Sequence, residues 1–338
     1  MSRINSLAAS VVVLLFVLLP ALAQQPSTNA SRVTANGPTL GQASTSEPVN
    51  FNAIAILRWY PANQITSFKV GNLPTAVAFD GADIWVSNTA DGTMTKMRAN
   101  DGTILGTFTV GNFPSGMAFD GANIWVAQNG SSTVTKIRAS DGTVLGTFTV
   151  GTGPEVVAFD GSNIWVANTG SNTVTKLQAS DGAVLGTFNV GPEPDGIAFD
   201  GVNLWVSNFN DNNVTELSEN GAVVGTFAVE RGPTGIAFDG ARLWVANSNS
   251  NTVTVLRASD GAKVGTFPVG KFPESVVFDG FNIWVSNTVS SNITKLRASD
   301  GSLIGTFNLP AVAGSAAGLA FDGANVWCAD TEDEVSKL

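Results

Sequence analysis

From about residue 53 onward the chain alternates short apolar runs with brief polar interruptions, and no segment carries a helical period. The interruptions are Gly, Asp, Asn and Ser, residues that turn a chain back on itself. Four apolar runs recur in fixed order. In the copy from Glu155 to Gly191, EVVAFDGSNIWVANTGSNTVTKLQASDGAVLGTFNVG, they are V-A-F, N-I-W-V-A-N, T-V-T-K-L and V-L-G-T-F-N-V. Asp-Gly joins the first two. Asp-Gly, or Asn-Gly once, joins the last two, and these pairs supply the positive φ of a tight hairpin. Each copy therefore predicts an antiparallel sheet of four short strands.

The copies are evenly spaced. Trp85, Trp125, Trp165, Trp205, Trp244, Trp284 and Trp327 lie 40, 40, 40, 39, 40 and 43 residues apart. A four-stranded sheet repeated at this period is a propeller blade. The fold class is all-β: a seven-bladed β-propeller spanning 53–338. In the first strand of each copy one parity is bulky (Val77 and Phe79, Val157 and Phe159) and the other small (Ala78, Ala158). Alternate side chains point to opposite faces, so the bulky face of one blade can pack on the small face of the next. The Trp series belongs to the same packing.

The ends predict how the ring closes. The chain reaches Leu338 on the third strand of copy seven, and Ile65 to Val70 (ITSFKV) matches the fourth strand LGTFTV of other copies. Residues 65–70 should complete the last blade. Ala53 to Leu57 (AIAIL) also resembles a third strand and competes with Val335 to Leu338 for one place. The C-terminal piece is expected to be short or frayed. Trp59 and Tyr60 lie beside the closing strand and are expected to pack.

These copies resemble the bacterial propeller-repeat group that includes YVTN-type repeats and virginiamycin B lyase-like proteins. The shared features are PTGIAFDG (Pro233 to Gly240), LWVAN (Leu243 to Asn247) and NTVT (Asn251 to Thr254). The resemblance implies the propeller fold over about 53–338. It also implies, for the lyase of the group, a magnesium ion held by His and Glu in the central cavity. The chain contains no His, so no His ligand can be assigned, and a lyase of that type is disfavoured.

Residues 1–23 read as a secretory signal: Arg3, an apolar run from Leu7 to Leu19, Pro20, then Ala21-Leu22-Ala23 as small-x-small. Residues 24–52, rich in Ser, Thr, Asn, Gln and Pro, read as a flexible linker. A periplasmic or extracellular location is expected, with no membrane span after cleavage. A net charge of −10 argues against nucleic acid, which needs a basic surface. Without His there is no Ser-His-Asp or Cys-His nucleophile, and one Cys excludes an internal disulfide. Cys328 replaces a strand Val and should be buried.

The Asp-Gly end hardly varies between copies and reads as structural. The opposite end varies, and binding tends to sit on varied loops of a rigid scaffold. The expected binding face comprises Asn72, Asn112, Phe113, Glu193, Arg231, Lys271 and Phe272. Just after the recurring Pro come Thr75, Ser115, Glu155, Asp195, Thr234, Glu274 and Ala317, which should surround one mouth of the channel. Three are acids. Glu155, Asp195 and Glu274 are the candidate ligands for Ca²⁺ or Mg²⁺, or a focus for a cationic ligand. Lys96, Lys136, Lys176 and Lys295, with Arg98, Arg138, Arg257 and Arg297 nearby, read as solvated outer-edge charge that blocks strand addition. Three functions follow. The first is a non-catalytic exported scaffold, monomeric, binding a protein or glycan and requiring no cofactor. The second is a metal-dependent lyase or hydrolase with a carboxylate-only site. The third is a structural or adhesive repeat protein.

Overall fold

The computed structural model describes residues 65–310 and 315–338. The expectations for the leader, the linker, Ala53 to Leu57, Trp59, Tyr60 and part of the loop from Pro310 to Ala316 lie outside these residues. Twenty-eight strands, β1 to β28 in chain order, form seven antiparallel sheets of four. Blade one is β2 (Pro74–Phe79), β3 (Asp83–Asn88), β4 (Thr93–Arg98) and β5 (Ile104–Thr109), with β2 innermost. Blades two to six repeat this order. Among the described residues no helix is long and apolar enough to cross a membrane.

Blade seven is built from both ends of the propeller sequence. It runs β26 (Ala316–Phe321), β27 (Val326–Asp330), β28 (Glu334–Lys337) and β1 (Thr66–Lys69). Thr66 pairs with Lys337 and Lys69 with Glu334. The N-terminal strand thus completes the last blade as expected. The third-strand place is taken by β28. That strand is short but not frayed: both its edges are paired, and Leu338 exchanges backbone hydrogen bonds with Val326.

The core is distributed between blades. Trp85 packs with Ile124 and Val126 of the next blade, and Trp327 of blade seven packs with Val77, Ile84 and Val86 of blade one. Each Trp lies beside the outer-strand Phe of its own sheet, ring centroids 5.2–6.0 Å apart. Burying such a side chain contributes roughly 1.5–3 kcal/mol, and the pairing geometry adds to that.

The Asp of each inner turn does more than turn the chain. Asp160 accepts from the backbone N–H groups of Ser162 and Asn163 and, at 2.7 Å, from Trp165 Nε1. All seven copies keep this Trp–Asp bond, so the buried indole N–H is satisfied throughout.

The lysines require a correction. Lys96, Lys136 and Lys176 are buried, not solvated at an edge. They stand on third strands, each covered by a fourth. Their ammonium groups lie over Trp85, Trp125 and Trp165 at 4.8–5.4 Å and donate to the carbonyls of Ala139, Ala179 and Glu219 in the following blade. They clasp neighbouring blades. Lys295 is partly exposed and also sits over its Trp, at 4.2 Å from Trp284. The arginines fit the expectation better: Arg98, Arg138, Arg257 and Arg297 are exposed and paired to the outer-turn Asp three residues on.

Candidate functional site

The recurring Pro opens each innermost strand, and the pairing slips just after it. In blade three Pro154 pairs with Asn168 but Val156 with Ala167, leaving Glu155 without a partner on the second strand. The same irregularity follows Pro194 and Pro273. A bulge re-aims the extra side chain, and here it aims toward the axis. All seven blades contribute to one cavity of about 270 Å³, whose walls include Thr75, Ser115, Glu155, Asp195 and Glu274. Thr234 and Ala317 are buried and do not line it.

The three acids share a cavity but not an environment. Glu155 accepts at 2.7 Å from Asn129 Nδ2 of the preceding blade. Glu274 accepts at 2.7 Å from Thr288 Oγ1, whose single proton also has the Ala316 carbonyl within reach at 3.0 Å. Asp195 has no side-chain hydrogen bond among the described residues. The reason is visible in the repeat. Thr89 and Thr288 stand fourteen residues after Thr75 and Glu274 and bond to them, whereas the position fourteen after Asp195 is Phe209. Blade four therefore has no hydroxyl at that repeat position.

Enclosure away from water raises all three carboxyls above their ordinary values. Asp195 is pushed up to about 7, by desolvation first and then by repulsion from Glu155, Glu274 and Glu193. Glu155 is raised by burial and by Glu274, against the bond from Asn129. Glu274 is raised by burial, against the bond from Thr288.

The seven binding-face residues, Asn72, Asn112, Phe113, Glu193, Arg231, Lys271 and Phe272, are all exposed, in the loops leading to the cavity strands. The residue before each recurring Pro adopts a left-handed backbone. Gly153 and Gly232 do so freely, but Leu73, Phe113, Glu193 and Phe272 do so with φ of 52–56°. A side chain there costs roughly 1–2 kcal/mol over Gly. Sequence reasoning missed Asn129, Thr288 and Phe209; the uneven filling of that one repeat position was the signal available.

The His and Glu set around magnesium that the resemblance implies does not fit this chain. His is absent, and among the described residues no group of three or more Asp, Glu, Cys or His side chains is placed to hold a metal ion.

No family model matches the chain, and no curated protein matches it in sequence. Solved structures match its fold. A catalytically inactive virginiamycin B lyase from Staphylococcus aureus with quinupristin is 18% identical, with a TM-score of 0.71, over 81% of this chain and 98% of that one. A streptogramin B lyase is 16% identical, with a TM-score of 0.70, over 81% and 96%. Hydrazine synthase from Kuenenia stuttgartiensis is 17% identical, with a TM-score of 0.68, over 80% and 96%. Likeness at this level is likeness of fold, and proteins of unlike activity share it.

Proposed function

We propose that this chain is an exported propeller that binds, without catalysis, a protein partner presenting a basic side chain or amine to the channel mouth. The observation that carries this reading is Asp195: an enclosed carboxylate on the cavity wall with no hydrogen-bond donor among the described residues, facing two further acids. An organic cation supplies the missing donor and offsets the repulsion among the three acids. Phe113 and Phe272, held exposed beside the strands that carry Ser115 and Glu274, offer apolar surface and ring faces to the stem of such a side chain. Export rests on the leader pattern of residues 1–23. The reading needs no cofactor. The YVTN-type and lyase-like repeat pattern supports the scaffold, while the absence of His removes the lyase's own chemistry.

Thermal unfolding and calorimetry with short Lys- or Arg-containing peptides test it, with Gln-containing peptides as controls. Basic peptides should raise the melting temperature at pH 8 and bind at least tenfold more weakly at pH 5, because Asp195 is then protonated. Asp195→Asn should remove the pH dependence and most of the affinity. A shift with Ca²⁺ or Mg²⁺ but none with basic peptides would favour the metal reading of Glu155, Asp195 and Glu274 instead.

A second reading rests on the same raised value. A carboxyl that holds its proton near neutrality suits a general acid, and the fold is one that lyases use. Turnover with a pH limb near 7, lost in Asp195→Asn, would replace the binding reading with this one.

A further inference from the structure

The cavity that carries Asp195 has three levels, because the innermost strands line it with successive residues. The first level, just after the recurring Pro, holds the three acids with Thr75 and Ser115. The second is nearly bare. Gly116, Gly196, Gly235 and Gly318 stand there beside the small Ala76 and Ser275, and Val156 is the one larger side chain. Blade packing demands these glycines: a Cβ on Gly116 would overlap the Glu155 carbonyl, and one on Gly235 the Glu274 carbonyl. Close approach of neighbouring innermost strands thus keeps the middle of the cavity open.

The third level is a collar of Val77, Met117, Ile197, Ile236, Val276 and Leu319, all apolar. The next position along the strands, Ala78 and Ala198 for example, does not line the wall. Two residues of strand rise, about 6–7 Å, separate the acids from the collar.

Charge at the mouth with apolar surface below it selects the shape of an occupant. A Lys side chain whose ammonium stops at the acids keeps its stem outside and leaves the collar unfilled. One that reaches the collar carries its ammonium past the acids into apolar surroundings, which is costly. A polypeptide N-terminus meets both levels at once, since one Cα bears the ammonium, the side chain and the outgoing chain. We propose that the channel mouth captures the free N-terminus of a partner polypeptide whose first residue is apolar and of the size of Leu, Met or Phe. Its ammonium donates to Asp195 and offsets the charge of Glu155 and Glu274. Its side chain crosses the glycine level to the collar, and the following residues leave past the exposed Phe113 and Phe272. At about 270 Å³ the cavity is at the small end of ligand pockets, which suits one residue and not a folded loop. This occupant presupposes the cation-binding role of Asp195 proposed above.

Calorimetric titration of the full chain with short peptides, at about pH 7 where an α-amine is mostly protonated, tests it. A Leu-first peptide with a free N-terminus should bind at least tenfold more tightly than its Gly-first counterpart, because only the former fills the collar. Acetylating that N-terminus should abolish binding. Leucinamide should bind more weakly than the Leu-first peptide; equal affinity would overturn a polypeptide as the source of the amine. Met117→Gln, which keeps side-chain size at the collar, should cut the Leu-over-Gly preference at least threefold. An unchanged preference in that variant, or equal binding of Leu-first and Gly-first peptides by the unaltered protein, would overturn the proposal. If N-acetylated Lys peptides bind while free N-termini show no such preference, the cation-binding role of Asp195 stands and the N-terminal occupant falls. If no amine binds, both fall.

Discussion

At the residue scale, the repeat acts as its own control, because the same position is filled seven times. The buried amide that ends each second strand is Asn in five blades, and its Nδ2 donates to the Thr or Asn at the start of the third strand and to the Thr two residues on. Blade two has Gln128, whose longer arm leaves both amide atoms buried and unpartnered. Gln128→Asn should therefore stabilise the protein by about 1–2 kcal/mol, read as a higher midpoint in denaturant at unchanged slope. The two kinds of Asp-Gly turn also separate here. Burial alone would raise Asp160, but the bonds from Trp165, Asn163 and Ser162 outweigh it and leave its carboxyl below the ordinary value. Among the described residues Asp181, in the outer turn, accepts only from the Ala183 backbone. Asp160→Ala should cost about 2–3 kcal/mol, since a buried indole N–H loses its acceptor, while Asp181→Ala should cost under about 1 kcal/mol. Blade five supplies its cation from a different strand. Val255 stands where five blades have Lys and blade four has Glu216, and Arg242 from the adjoining strand lies over Trp244, beside Asp239, and donates to Ser299 of the next blade.

At the element scale, the closing blade carries the one acid among these amides. Asp330 is buried between β26 and β28, and burial pushes its carboxyl up to about 6, with Glu334 and Glu332 adding repulsion. An acid whose folded value is raised favours the folded state fully below its unfolded value near 3.8, and that advantage is lost as pH rises through about 6. Asp330→Asn restores the residue type of the other blades and removes the charge. It should raise the melting temperature at pH 8, and the gain should shrink toward zero near pH 4. A gain independent of pH would mean the charge is not the cause. The bulge after each Pro is the other decisive element. Without it the side chains of Glu155, Asp195 and Glu274 would be paired into the sheet instead of aimed at the axis.

At the scale of the whole molecule, ring closure and channel charge are the two collective properties. Removing residues 65–70 uncovers Trp327, which lies 5.7 Å from Phe68, and leaves β28 with an open edge. That deletion should give aggregated or non-cooperatively melting protein, and a soluble protein with one sharp transition would show that pairing of β1 with β28 is dispensable. The channel acids all have raised values, so apo stability should fall as pH rises from about 4 through about 7, over the window set by Asp195. Asp195→Asn should flatten that part of the profile, raising the melting temperature at pH 8 by several degrees, which differential scanning calorimetry can read.

The blade count, the strand order within a blade, the closure by residues 65–70 and the Trp packing were all legible in the sequence. Each is encoded locally and repeated: alternation places side chains on faces, and Asp-Gly places turns. Five members of the ring behind the recurring Pro, Thr75, Ser115, Glu155, Asp195 and Glu274, line the cavity as equivalent positions in a radial array should, whereas Thr234 and Ala317 are buried away from it. What lay beyond reach depended on neighbours that are close only in space. Lys96 reads as surface charge until Ala139, forty-three residues on, offers its carbonyl. Which of two similar segments occupies the third place in blade seven is a competition between distant parts of the chain, and only pairing on both edges of β28 decides it. Asp195 differs from Glu155 and Glu274 not in its own strand but in its partners: Asn129 donates to Glu155 and Thr288 to Glu274, and no side chain among the described residues donates to Asp195, a property of tertiary contact.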